Sequence, residues 1–158
     1  MSDRLPFPAL ALGLCLALLL WVVPLRSELA FWRPPFVLLL VTYWLFRQPQ
    51  NYGVVFAWLV GLSVDLLFGE ILGQHALAMS VAAYLVLGQK HSTHHFKMLY
   101  QSVFVAVVVL VYEVVLLSVR LLVEDINAVL PVFYSVLSSA LVWPLLYTIL
   151  QKLHREQW

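Results

Sequence analysis

The stretch Gly61–Leu77, GLSVDLLFGEILGQHAL, decides how the chain is read. It sets an aspartate, Asp65, inside one of the most apolar regions and follows it with two glycines, Gly69 and Gly73. An aspartate at the centre of a membrane helix costs about 2.5–3.5 kcal/mol on insertion scales, so it needs a reason. The stretch also continues a stripe of small residues, in which Gly53, Ala57, Gly61, Asp65, Gly69 and Gly73 recur at every fourth position. Small residues at that spacing let two membrane helices approach closely. Each step of four turns a helix through about 400°, so the stripe drifts by about 40° per step and leaves its face before Gly73. The helix is therefore expected to end or bend near Gly69, with the glycines forming a tight turn. Ordinary membrane-helix packing accounts for the glycines alone; it does not account for Asp65.

The surroundings set the class. Of the 158 residues, 63% are hydrophobic and 11% are charged, against roughly 25% charged in soluble domains. Such a composition implies an all-α integral membrane protein. The net charge of +1 gives no argument for nucleic acid. The lone Cys15 sits in an apolar run and reads as a packed thiol. The apolar run from Leu5 to Val23 exceeds the roughly 7–15 residues of a signal-peptide core, so it is read as an uncleaved first helix.

Six apolar segments follow one another, at about 7–25, 34–46, 52–71, 75–87, 100–123 and 129–150. Together they predict a single multi-pass membrane domain over residues 1–158. The first, third, fifth and sixth are long enough to cross a bilayer. The second and fourth are short, and are either buried within the bundle or re-entrant. Six crossings with both termini in the cytoplasm put Arg4, Arg47, Lys90, Lys97, Lys152 and Arg155 inside and Arg26, Arg33 and Arg120 outside. That ratio of about two to one obeys the positive-inside rule, and a re-entrant segment would spoil it. The outer side also carries Glu28, Glu70, Glu124 and Asp125. Trp21, Trp32, Trp44, Tyr52, Tyr100 and Tyr147 fall near segment ends, as interfacial aromatics do. Tyr112 and Trp143 read as packing residues, and Pro144 as a kink in the last helix.

Depth gives Asp65 a companion. Counted from Tyr52 and Tyr100, Asp65 and Glu113 each lie about 20 Å along their helices, toward the outer side. Arg120 follows Glu113 by two turns on the same face. A buried polar cluster of Asp65, Glu113 and Arg120 is expected, with three open readings. It is structural, with Arg120 pairing one acid and the other protonated or bonded to a serine; or part of a concave site for a helix or small ligand; or a proton relay. Gln74 and His75 are expected at the outer face. His91, His94 and His95 are spaced for one helical face, but no carboxylate or cysteine accompanies them, so no metal site is predicted. They read as part of a basic loop along the interface. No GxSxG, HExxH, Walker loop or GxGxxG is present, and no enzyme activity or cofactor is expected.

Two stretches and the overall plan carry a resemblance. RPPFVLLLVTYW, Arg33–Trp44, opens a short helix with arginine and prolines and closes it with aromatics. GVVFAWLVGLSVDLLFGEILGQHAL, Gly53–Leu77, holds a G-x-x-x-D core and a later L-G-x-x-A-L. With the short-looped helices, these resemble the rod shape-determining MreD family, whose aspartate aligns with Asp65 and whose glycines align with Gly61 and Gly73. The resemblance implies a non-enzymatic component of the bacterial cell-elongation machinery in the inner membrane. It implies association with MreC, and through it a link from MreB filaments to the peptidoglycan polymerase RodA and its transpeptidase. It also implies a six-helix fold similar to the substrate-binding component of energy-coupling-factor transporters, which by itself assigns no ligand. The face around Gly61 then accepts either the next helix of the same chain, with its Ala76, Ser80 and Gly88, or the single helix of MreC. The competing expectation is a membrane small-molecule or lipid binder, or a transport component, with a pocket lined by tryptophans and the acids.

Overall fold

The computed structural model describes residues 13–14, 17–18, 34–89, 98–123 and 130–155. Five helices are defined there: α1 Phe36–Arg47, α2 Val54–Phe68, α3 Gln74–Gly88, α4 Met98–Val123 and α5 Leu130–Arg155. No strand occurs among the described residues. The first predicted segment, 7–25, lies mostly outside them, as do Cys15 and the loop with His91, His94 and His95. Gly13, Leu14, Ala17 and Leu18 are helical, Ala17 is buried, and a Cβ at Gly13 would lie 3.4 Å from Leu40.

Among the described residues, two helices are long and apolar enough to cross a membrane, over Leu99–Leu122 and Val132–Lys152. Their outward faces carry exposed Val103, Val107, Val114, Leu137, Leu141 and Leu145, as lipid-facing surfaces do. The last helix runs through Pro144 and continues to Arg155 rather than ending at Leu150. Thr148 donates its hydroxyl to the Pro144 and Leu145 carbonyls.

The short segments differ from these in burial. α1 has 12 residues and a length of about 18 Å, too short to span the core. It opens after Pro34 and Pro35, which suit a helix start because they lack the N–H that a first turn leaves unpaired. Every residue from Val37 to Leu45 is buried. A helix that is apolar all round belongs inside a bundle, and α1 lies there. α3 is the hub: it packs against α1, α2 and α4, and α4 packs against α5. Leu38, Leu39, Met79, Val105, Val108 and Trp143 fill the core.

α2 stops at Phe68 rather than at Ile71, because Gly69 takes the left-handed conformation (φ 63°) that ends a helix. The chain turns through Gly73 (φ 95°) and starts α3 at once. These two are the positive-φ residues of the described chain.

Among the described residues, the acids gather toward one end of the bundle. All acids of the described residues, Asp65, Glu70 and Glu113, lie toward the end where α2 turns into α3, with His75 and Arg120. Arg47 and Lys152 mark the opposite end. Between them a chain of ring contacts runs through Tyr52, Trp44, Tyr43, Tyr147, Trp143 and Phe46, centroids 5.6–6.1 Å apart. It ties α1 to α5 and to the turn that precedes α2.

Candidate functional site

The polar centre is built where α2 ends. A helix leaves its first four backbone N–H groups unpaired, and a polar or charged side chain normally caps them. The N-cap of α3 is Gly73, which has no side chain to do so. Asp65 of α2 supplies the acceptor instead. Its Oδ2 accepts the N–H of Gly73 at 2.9 Å and of Ala76 at 3.3 Å. Its Oδ1 accepts the N–H of His75 at 3.1 Å and the His75 ring Nδ1–H at 2.8 Å. The Gln74 N–H goes to the Ile71 carbonyl, and Leu77 makes the first bond within the helix, to Gly73. Every backbone donor in the first turn of α3 is therefore paired.

Four donors converge on a carboxylate, an acceptor-only group with about four lone-pair positions. The same residue also ends α2, since its backbone carbonyl accepts the N–H of Gly69 and of Glu70. The start of α3 carries the positive end of its dipole, which favours the negative side chain. Asp65 is 1% exposed.

Gly61 makes this geometry possible. A Cβ built there would lie 2.6 Å from Ala76 Cα and from the His75 carbonyl oxygen. Any side chain would push the start of α3 away from Asp65. Of the small-residue stripe, Gly61 is the position that nothing larger fits. Ala57 is fully buried, Gly53 precedes α2 in open space, and Gly69 and Gly73 serve backbone conformation with no neighbour against a Cβ. The helix admitted by the Gly61 face is α3 of the same chain.

Two sequence expectations change in detail. Gln74 and His75, expected at the outer face, are not surface residues; each is 1% exposed. They belong to the first turn of α3, which is drawn under the end of α2 by Gly61 and Asp65. Nor does Arg120 pair with Asp65 or Glu113. Its Nη2 donates to Glu70 Oε2 at 3.2 Å, in an ion pair whose side chains are 38% and 33% exposed. Asp65 is already occupied by α3, and two turns along α4 bring Arg120 level with the turn that carries Glu70. Glu70 also accepts the Gln74 side-chain amide, so it joins the start of α3 to the end of α4.

Glu113 faces α5, where the Ser135 hydroxyl donates to its Oε1 at 2.7 Å. The Ser135 carbonyl takes the hydroxyls of Ser138 and Ser139. Tyr112, buried, is the residue common to the two halves. Its ring centroid is 6.2 Å from that of His75, and Glu113, Arg120, Asp65 and Glu70 all act on it electrostatically. Sequence reasoning missed Glu70 as a junction; it lies in the turn between α2 and α3, where no helical spacing marks its bond to Gln74. Ser135 had a weaker one, a serine followed by two more at helical spacing. Among the described residues no three His, Cys, Asp or Glu side chains are grouped as a metal would require. The arrangement does structural work: it closes two helix ends, clamps α2 to α3, and ties that pair to α4 and α5.

Comparison with known proteins gives a consistent result. The family model for the rod shape-determining protein MreD matches residues 2–153. The rod shape-determining protein MreD of Haemophilus influenzae is 24% identical over 143 residues, covering 86% of this chain and 88% of that protein. No solved structure matches the chain.

Proposed function

The chain belongs to the MreD family of rod shape-determining proteins, and on that basis we propose that it is a non-enzymatic membrane scaffold of the bacterial cell-elongation machinery. In this role it joins MreC and MreB to the peptidoglycan polymerase RodA and its transpeptidase. It sits in the inner membrane with six crossings and both termini in the cytoplasm. The long α4 and α5 are able to cross outright; in this reading the shorter apolar helices and the first apolar segment cross inside the bundle, where the bilayer thins around them. The expected likeness to the substrate-binding component of energy-coupling-factor transporters belongs to this proposal as an architecture and brings no ligand with it.

The family match over residues 2–153 carries the reading. The use of the buried polar groups supports it: Asp65, the most conspicuous candidate for a ligand contact, is fully engaged by α3. Depleting the protein in a rod-shaped host and scoring cell shape tests the reading. Cells round up on depletion and return to rods when the wild-type chain is resupplied. Rods that persist through depletion overturn it.

A further inference from the structure

We infer that the end of the bundle marked by Arg47 and Lys152 is a binding surface for the headgroups of anionic phospholipids. Three observations place it there. First, the positive charges at this end face no acid among the described residues. Arg47 and Lys152 are both exposed, neither has an ion-pair partner among the described residues, and every described acid lies toward the other end. Arg120, by contrast, is neutralised by Glu70.

Second, the depth is that of headgroups. From Tyr100 to Arg120, α4 rises about 30 Å, and from Tyr134 to Lys152, α5 rises about 27 Å. Both match the roughly 30 Å of a hydrocarbon core. Tyr100, 42% exposed, and Lys152 therefore sit where one leaflet's phosphates begin. A tyrosine at that level is the usual anchor at a membrane interface.

Third, the cations come from different parts of the chain and are held at one end by the ring network. Tyr43 stacks edge-on against Tyr147 at 5.7 Å and feels the charge of Arg47, four residues on. Lys152 follows Tyr147 on α5. Arg47 opens onto the exposed turn Gln50–Asn51. An arginine fork and a lysine ammonium at one membrane face suit phosphodiester oxygens, the first by paired bonds and the second as a point charge. In the six-crossing arrangement this face is cytoplasmic, where anionic lipid attracts basic residues.

Each basic residue near an anionic surface strengthens binding by about fivefold, so the pair contributes roughly thirtyfold. The test uses the full chain in detergent, titrated with phosphatidylglycerol or phosphatidylcholine and read by native mass spectrometry. The wild type prefers phosphatidylglycerol, R47Q/K152Q loses that preference by roughly thirtyfold, and R120Q keeps it. R47K, which retains the charge, keeps most of it and guards against a folding artefact. The inference is overturned by a wild type without preference, by retention in R47Q/K152Q, or by equal loss in R120Q. It is also overturned if soluble glycerol phosphate at equal concentration displaces the lipid, since the site would then be a phosphate site and not a lipid surface.

Discussion

Replacing Asp65 tests the central argument, because the structure assigns it four identifiable bonds. Asp65→Leu removes the acceptor for the N–H groups of Gly73, His75 and Ala76 and for the His75 ring. A buried donor left unpaired costs about 1–3 kcal/mol. Gly73 is only partly buried, so water recovers some of its share, and the total falls at about 4–6 kcal/mol. That is a large part of the roughly 5–15 kcal/mol that holds a domain together. Asp65→Asn is milder. One oxygen stays as an acceptor, while the new NH2 faces donors on the other side and leaves about two bonds unmade, or roughly 2–4 kcal/mol. At about 2–4 °C per kcal/mol for a chain of this size, D65N melts about 5–15 °C lower and D65L lower still. The measurement is thermal unfolding of the purified protein in one detergent, joined to amide hydrogen exchange at the start of α3. The amides of Gly73, His75 and Ala76 lose protection in both variants before the rest of α3 does. A D65L protein with wild-type melting and wild-type protection there would refute the reasoning.

Two further outcomes follow from contacts between helices. Gly61→Ala sets a methyl group 2.6 Å from the backbone of α3; it lowers stability by about 1–3 kcal/mol, and in thermal melts its effect is less than additive with D65L, because both disturb one approach. Ser135→Ala leaves Glu113 without its hydroxyl donor and costs about 1–2 kcal/mol, whereas Glu113→Gln keeps an acceptor oxygen and costs less; the opposite ranking in melting temperature would contradict the α4–α5 tie.

Helices and membrane class were legible because hydropathy is a property of composition and run length. The two long spans announce themselves, and α1, apolar on every side, reads as an interior helix once its length is set against the bilayer. Asp65 was legible as an exception. Its partners were not, because they are backbone N–H groups, which every residue carries and no sequence pattern marks. The one trace is negative: Gly73 stands at a helix start and has no side chain to cap it. Arg120 shows a different limit. Counting along α4 gave a depth, but depth does not say which acids are already engaged. The end of α2 near Gly69 was legible from the glycine spacing, but the burial of His75 was not, because no pattern says how closely the first turn of α3 approaches Gly61.

The depth of that turn explains why the residue is an aspartate. The His75 ring lies beside Tyr112, and Tyr112 sits about 12 Å short of Arg120 along α4. α3 therefore begins inside the apolar slab and not at its surface. Water does not reach the buried donors of His75 and Ala76, and each costs several kcal/mol if left unpaired. Serine, threonine or asparagine at position 65 could accept from one or two of the donors; a carboxylate accepts from all four, and bonds to a charged acceptor are worth about 1.5–3 kcal/mol each. Against an insertion cost of about 2.5–3.5 kcal/mol, the aspartate prevails. The reasoning also bears on partners. Because the small-residue face of α2 is filled by α3, a helix from another protein must dock elsewhere, on the exposed side of α2 with Val55, Leu59 and Leu66, or on α4 and α5. Substitutions at Gly61 or Asp65 then weaken any such assembly only by loosening the α2–α3 pair, and the loss of association follows the loss of melting temperature.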